Sequence, residues 1–398
     1  MKYFFILGTN PTLSIAELAS LISFEKALLL AADFLIIELE TEINPENLIK
    51  TLGGTKKIGA IKEEISTKNS HETNLDLIAA SIKMASQRQK KSPSGKFNFG
   101  FSAYGQTEIN KKDLGIKLKN HFNEKKISSR FVVSREKTLS SVVIAQNKLL
   151  TRGIEIVAAR HDNKIFLGET LSVQPFKDLG LRDFGRPARD DLSGMIPPKL
   201  AMEMINLAGL ENKESIIVDP FCGSGTILSE AALMGYKNLF GSDISPKAID
   251  DTYKNLSWLK ELYKLENIHH KLMVKNVLNL SKFIKADYAD AIITEPFLGP
   301  QRGMINFKTV IGNLEELYSG AICEFHKVLK TGGKVIMVWP SFYGQKPISP
   351  NYNGFKIINP VPENLRNNIF LKKTGRETII YGRSGQKVFR EIVVLEKI

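Results

Sequence analysis

The run Ile216-Ile217-Val218-Asp219-Pro220-Phe221-Cys222-Gly223-Ser224-Gly225-Thr226 constrains the fold more than any other part of the chain. Three consecutive β-branched residues read as a short strand covered by helices on both faces, as in a parallel sheet. The strand ends on an acidic residue, passes two glycines and enters an apolar helix that continues to Met234. Strand, glycine turn and helix together place ligand-binding groups at the carboxyl end of a parallel sheet. Gly223 and Gly225 let a ligand approach the backbone, and the helix start offers free N–H groups to an anion. No third glycine follows at the dinucleotide offset, and the lysine of a phosphate loop is missing, which argues against both of those sites.

The next strands repeat the arrangement. Leu239–Gly241 leads to Ser242-Asp243-Ile244, and Asp243 falls 24 residues after Asp219. That is the usual place of a carboxylate that holds ribose hydroxyls, and Ile244 then offers an apolar wall to an adenine ring. After a helix from Pro246 to Lys260, the strand Lys271–Val274 ends at Lys275-Asn276-Val277. Ala291-Ile292-Ile293 ends at Thr294-Glu295-Pro296-Phe297-Leu298-Gly299. These strand ends are expected to converge on one crevice. Lys334–Trp339, Thr378–Arg383 and Phe389–Leu395 complete an expected seven-stranded sheet, with Ser384-Gly385 turning the last two into an antiparallel hairpin.

In front of this region, Tyr3–Leu7, Ala27–Ala31, Phe34–Leu39 and Lys57–Ile61 read as strands, and the helices Leu13–Leu21 and Pro45 to Gly53 fall between them. The resulting order βαββαβ predicts a ferredoxin-like module. From about Leu75 to Leu171 helix and strand patterns alternate again, and Phe97, Phe99 and Phe101 form one aromatic strand face that reads as core. Leu171 to Gly194, rich in glycine and proline and without sustained periodicity, reads as a linker.

Charge separates the regions. The net charge is +13, yet residues 1–50 carry 3 basic and 7 acidic side chains, a net of −4. Residues 51–180 carry 23 basic against 12 acidic, a net of +11, and the remainder carries 29 against 23, a net of +6. A positive field gathered in the middle of the chain favours a polyanionic partner. Lys90, Lys91, Lys96, Lys111 and Lys112 are the candidate phosphate contacts there, with Arg182, Arg186 and Arg189 in the linker, each close to an aspartate. Two cysteines cannot build a disulfide framework or a four-thiolate zinc site, and the six histidines include no His-x-x-x-His spacing. The longest apolar stretch, Ala27 to Leu39, is interrupted by Asp33 and is shorter than the roughly 18 residues of a membrane span. The opening MKYFFILGTN reads as a buried strand rather than a signal peptide. The expected compartment is the cytoplasm.

The strings RDFGRPARDDLSGMIPPKLAMEMINLA, VDPFCGSGTILSEAALMG, GSDISPKAID and FREIVVLEK resemble the THUMP-containing tRNA guanosine-N2 methyltransferases, a class I S-adenosylmethionine-dependent family. YFFILGTNPTLSIAEL and LGGTKKIG resemble that family's N-terminal ferredoxin-like domain, and KFNFGFSAYG through FLGETLSVQPF resembles its THUMP domain. The resemblance implies an α/β fold: a ferredoxin-like module at 1–65, a THUMP-like RNA-binding domain at 66–171, a linker at 172–192 and a Rossmann-like methyltransferase domain at 193–398. It implies tRNA as the partner and leaves open a small activating subunit. The chain is expected to be a monomer with no membrane partner and no metal.

By the same resemblance, Asp219, Gly223 and Gly225 hold the methionine part of S-adenosylmethionine, with Pro220, Phe221, Cys222 and Thr226 lining the same loop. Asp243 takes the ribose, Ile244 with Asn276 the adenine, Val277 joins the cofactor-binding residues, and the turn at Pro198 closes over the methionine end. Glu295 and Pro296 position the target amine and Phe297 stacks on the base. The fourth motif departs from the family, which normally has Asp-Pro-Pro and an aromatic residue where this chain has Glu295-Pro296-Phe297-Leu298. A misplacement of about 1 Å can cost roughly a hundredfold in rate, so the departure bears directly on activity. It keeps two other readings open: a DNA or ribosomal-RNA amino-methyltransferase, and a tRNA-binding protein that no longer turns over.

Overall fold

The computed structural model describes residues 1–24, 26–67, 70–92, 95–105, 109–189, 195–300, 306–382, 386 and 388–398. Ser384-Gly385, and residues 190–194 of the expected linker, lie outside them. The chain folds as two units. One comprises Met1–Pro11, Ser23–Thr51 and Thr55–Phe176, and the other Thr12–Ile22, Leu52–Gly54 and Lys177–Ile398.

The first stretch of chain runs β1 (Lys2–Leu7), α1 (Pro11–Leu21), β2 (Lys26–Ala31), β3 (Phe34–Glu38), α2 (Pro45–Thr51) and β4 (Thr55–Ser66). It continues through α3 (Ser70–Lys90), β5 (Phe97–Gly105), α4 (Lys111–Glu124), β6 (Ser129–Val132), α5 (Ser141–Gln146), β7 (Gly153–His161) and β8 (Lys164–Val173). The eight strands form one sheet in the order β2-β3-β1-β4-β8-β7-β5-β6. β4 is the joint, pairing antiparallel with β1 on one edge and with β8 on the other. Residue 65 therefore lies inside a paired strand, and the sheet does not break where the first module was expected to end. Phe97, Phe99 and Phe101 face the core beside Phe122 of α4 and Ile154 and Ile156 of β7. The rings of Phe97 and Phe122 meet edge-on with centroids 5.3 Å apart.

The second unit holds most of α6 (Phe176–Phe184), then α7 (Pro198–Leu207), β9 (Ile216–Asp219), α8 (Thr226–Leu233), β10 (Asn238–Asp243), α9 (Pro246–Tyr263) and β11 (His269–Val274). A 3₁₀ turn at Val277–Lys282 follows, then β12 (Ala289–Thr294), α10 (Phe307–Val328), β13 (Leu329–Phe342), β14 (Phe355–Ile357), β15 (Ile379–Tyr381) and β16 (Val388–Lys397). The sheet order is β11-β10-β9-β12-β13-β16-β14, with β15 also paired to β16. β9 to β13 are parallel, while β16 runs antiparallel to β13. The chain moves from β9 towards β10 and β11, then returns to β12 on the other side. That reversal leaves a crevice outside the strand ends, which is where open α/β sheets bind ligands.

Two expectations need correction. Among the described residues the sheet has eight strands rather than seven, because β16 carries two short partners, β15 beside Ile392 and β14 beside Leu395–Lys397. β14 is three residues long, too short for a periodic signal. The supposed linker holds a helix, α6, whose buried residues are Leu179 and Arg182. The helix is only nine residues long and contains Gly180, so its stretch of chain reads by composition as a linker. No helix among the described residues is long and apolar enough to cross a membrane.

Candidate active site

At the strand ends of the second unit lies an open crevice of about 1180 Å³. Asp219, Pro220, Phe221, Cys222, Gly223 and Thr226 line it, with Asp243, Ile244, Asn276 and Val277 and the turn Glu295-Pro296-Phe297. Sequence reading put all of these in the site. Pro198 and Gly225 are not among its lining residues. Pro198 is buried at the first turn of α7, and Gly225 caps α8 with a left-handed φ of 81°. A Cβ on Gly225 would stand 2.7 Å from the Thr252 methyl carbon, so its glycine serves the shape of the loop rather than ligand access.

Gly223 differs. Its φ is 52°, and a Cβ built there meets nothing within 4 Å, so the loop opens onto free space at that point. The loop is held from behind: Cys222 N–H donates to Ser242 O at 3.0 Å, and Thr252 Oγ1 donates to Gly223 O at 2.7 Å. The Asn255 amide donates to Ser224 O at 2.8 Å. The Asp243 carboxylate accepts the Gly223 N–H at 3.0 Å and the Ser245 N–H at 2.9 Å, which fixes its plane. Ile244 beside it is 71% exposed, an apolar side chain left uncovered at the crevice wall. Asn276 Oδ1 accepts from Leu278 N–H and caps the following 3₁₀ turn.

Asp219 is buried. Thr294 Oγ1 donates to it at 2.7 Å and the Phe221 N–H at 3.3 Å. Burial pushes its carboxyl up to about 7, against the pull of those hydrogen bonds, and the neighbouring Asp243 and Glu295 push the same way. Cys222 is buried too, and burial with Asp219 nearby raises its thiol well above the usual range, which makes it a poor nucleophile.

Glu295 follows the last residue of β12. Arg390 of β16 donates through Nε to Glu295 Oε1, and its Nη2 stands 3.5 Å from Oε2. Arg390 also lines the crevice. Sequence reading missed it, because the residue lies 95 positions from Glu295 and nothing local marks it. Phe297 is 62% exposed, and its carbonyl accepts from the buried Tyr318 hydroxyl at 2.8 Å. Lys247, Asp251, Lys275 and Gln386 complete the charged and polar rim.

The candidate RNA contacts divide by burial. Lys90, Lys91, Lys96 and Lys112 are exposed. Lys111 is half-buried, its ammonium donating at 2.8 Å to the carbonyls of both Glu136 and Lys137. Arg182 and Arg186 are corrections: both are 7% exposed and cannot track a backbone at the surface. Arg182 donates to the buried Glu230 at 2.5 Å, and Arg186 to Thr226 Oγ1 at 2.6 Å. They anchor the linker segment to the helix that starts at the glycine loop. Arg189 donates to Phe184 O at 3.2 Å and lies over the exposed Phe184 ring.

Residues 186–342 match the RMKL-like methyltransferase domain (UPF0020). A tRNA (guanine(10)-N2)-dimethyltransferase of Methanothermobacter thermautotrophicus is 30% identical over 201 residues, 50% of this chain and 50% of the relative, so the match spans about half that relative's length. A Methanothermococcus thermolithotrophicus protein named "Probable tRNA (guanine(10)-N2)-dimethyltransferase" is 34% identical over 143 residues, 35% of this chain and 77% of that one. The crystal structure of TrmN from Thermus thermophilus is similar in fold over 100% of both chains, with a TM-score of 0.56 at 16% identity. With a third of aligned positions identical across most of the M. thermolithotrophicus protein, the chain belongs to the RMKL-like methyltransferase family.

Proposed function

We propose that this protein transfers a methyl group from S-adenosylmethionine to the exocyclic N2 of a guanosine in tRNA, at the tenth position for which its relatives are named. The observation that carries this reading is the junction of two chemistries in one crevice. A glycine loop and a ribose-type carboxylate line it together with Glu295-Pro296-Phe297.

The residues present fit that cofactor. Gly223 opens the loop to a ligand, Asp243 keeps lone pairs for ribose hydroxyls beyond its two backbone bonds, and uncovered Ile244 offers a face to adenine. When bound, S-adenosylmethionine supplies an electrophilic methyl group. The chain's part is positioning. Glu295 accepts one N–H of the target amine and the Pro296 carbonyl the other, which aims the nitrogen lone pair into the crevice. Phe297, exposed and with its carbonyl tied to Tyr318, stacks on the base once that base leaves its own stack. The amine proton is lost as the new N–C bond forms, and Glu295 is placed to hold it. An aromatic amine needs no strong base, so most of the gain comes from orientation and polarisation.

Towards the start of the chain, the succession βαββαβ and the strand order β2-β3-β1-β4 support the ferredoxin-like reading of 1–65. The full-length likeness to a solved fold and the exposed Lys90, Lys91, Lys96 and Lys112 support a THUMP-like domain that binds tRNA by charge and shape. The compartment that goes with this activity is the cytoplasm, and the acting form is a monomer.

The test is incubation with labelled S-adenosylmethionine and unmodified tRNA, ribosomal RNA or DNA, followed by nucleoside analysis. N2-methylguanosine or its dimethyl form in tRNA, lost when guanosine 10 is replaced by adenosine, is the expected result. Label confined to DNA or ribosomal RNA overturns the substrate. Tight tRNA binding with no label moves the protein to the non-catalytic reading that Glu295-Pro296-Phe297 keeps open.

A further inference from the structure

Asp219 and Glu295, two of the carboxylates that line the crevice, are held differently. Asp219 is fixed from its own strand neighbourhood, by Thr294 and the Phe221 N–H. Glu295 is reached from two strands away. β13 lies between β12 and β16, and Arg390 stands opposite Pro340 of β13 and Tyr381 of β15. From there the guanidinium spans the end of β13 and meets both carboxylate oxygens of Glu295. The Glu295 side chain is 11% exposed and that of Arg390 17%, so the pair is largely shielded from water while still lining the crevice.

We propose that Arg390 is a positioning residue for methyl transfer: its guanidinium pairs with the Glu295 carboxylate and keeps it in one rotamer, with its remaining lone pairs turned to the target amine. This role rests on the assignment of Glu295 given above. Glutamate carries one more rotatable bond than the aspartate normal at this position in the family it resembles. Without a restraint its carboxylate spreads over several rotamers and loses the alignment that orientation-based catalysis requires. A guanidinium suits the task because it is planar, permanently charged and presents a rigid fork to a carboxylate.

The charges around Glu295 make the pairing necessary as well as available. Asp219 of β9 is acidic and close enough for the Glu295 charge to help raise its carboxyl. From α10, Tyr318 contributes a neutral hydroxyl that is spent on Phe297 O. From β16, Arg390 contributes the opposing cation. Burial pushes the Glu295 carboxyl above its ordinary range, and Arg390 pulls it back by charge and by hydrogen bonding. Removal of the guanidinium leaves a shielded acid next to another acid, which favours its protonated form.

The experiment compares full-length wild type with Arg390→Met and Arg390→Lys. Carboxyl titrations are followed by NMR on protein labelled with carboxyl-¹³C glutamate, the Glu295 resonance being identified by its loss in Glu295→Gln. In Arg390→Met the Glu295 midpoint rises by about 1–2 pH units. With unmodified tRNA, kcat at pH 7 falls roughly 10–100-fold and recovers part of that loss at pH 9. KM for tRNA and the S-adenosylmethionine Kd stay within about threefold of wild type, since no binding group is removed. Arg390→Lys keeps the midpoint near wild type and recovers part of the rate, and it carries the measurement if the methionine variant does not fold. An unmoved Glu295 midpoint, or a rate loss equal at every pH, overturns the proposal. A wild type that labels no RNA while its midpoint shift is intact overturns instead the assignment of Glu295 to methyl transfer, so the two failures are distinguishable.

Discussion

Gly223 donates its backbone N–H to the Asp243 carboxylate at 3.0 Å, so the glycine loop of one strand and the acidic end of the next form a single unit. Cys222 N–H to Ser242 O is a second tie between the same two turns. Asp243→Asn is therefore expected to act twice, weakening the acceptor for ribose hydroxyls and replacing one half of the loop clamp with an amide. Charge-assisted hydrogen bonds are roughly twice as strong as neutral ones. Calorimetric titration with S-adenosylmethionine should show a Kd raised about 10–100-fold, with tRNA affinity unchanged. An Asn variant with wild-type Kd would remove Asp243 from the cofactor site.

Asp219 gives the protein a pH-dependent stability with a definite sign. Its carboxyl is pushed up to about 7 in the fold, against roughly 3.9 in an unfolded chain. The folded state thus holds the proton more tightly. The contribution is fully present below about pH 4 and is lost as the pH rises through about 7. Asp219→Asn mimics the protonated acid and keeps an acceptor for Thr294. Its melting temperature should exceed that of wild type by at least about 3 °C at pH 8, and the gap should close towards pH 4. Glu17 and Glu230 are also pushed up to about 7 by burial, but both proteins carry them, so the difference isolates Asp219. A gap independent of pH would show that Asp219 is ionised throughout.

The Arg182–Glu230 pair predicts a structural rather than an RNA-binding phenotype. Both side chains are buried, and Glu230 sits on the helix that begins at the glycine loop. Arg182→Met takes the hydrogen-bonding cation from a buried carboxyl that keeps only the Arg186 charge to favour its ionised form. The loss falls near the lower end of about 3–5 kcal/mol, because the acid can take up a proton. Denaturant unfolding should show it, while tRNA affinity of the folded protein stays within about twofold. Replacing both members, as in Arg182→Met with Glu230→Leu, should recover much of the stability. A variant of normal stability with weakened tRNA binding would return Arg182 to the RNA surface.

What the sequence disclosed and what it concealed divide along a physical line. The glycine loop, Asp243 and the Glu295 turn were legible because each is local: a strand, a turn residue and a helix start within a dozen positions. The core face of Phe97, Phe99 and Phe101 was legible for the same reason, through its period of two. Arg390 was not, since its partner is set by sheet order and not by spacing. α6 was hidden because it is nine residues long, carries Gly180 and lies in a stretch rich in glycine and proline. The extent of the first sheet was hidden because β4 offers both of its edges to pairing, which no pattern within the strand records.

The exposed lysines of the first unit carry the remaining prediction. Lys90, Lys91, Lys96 and Lys112 keep their side chains in solvent, while Lys111 donates to two backbone carbonyls. Each phosphate neutralised releases counterions, and the log–log slope of binding against salt shrinks by about 0.7–0.9 for every phosphate left without its lysine. Replacing the four exposed lysines with glutamine should lower tRNA affinity at least about tenfold at low salt and reduce that slope by about 3, with S-adenosylmethionine affinity unchanged. Lys111→Gln alone should leave the slope nearly as it is and instead loosen the segment at Glu136 and Lys137. Filter-binding or fluorescence titrations from about 50 to 200 mM salt separate the two effects. An unchanged slope in the fourfold variant would mean that the tRNA backbone is held elsewhere, and the positive excess of residues 51–180 would then serve solubility rather than capture.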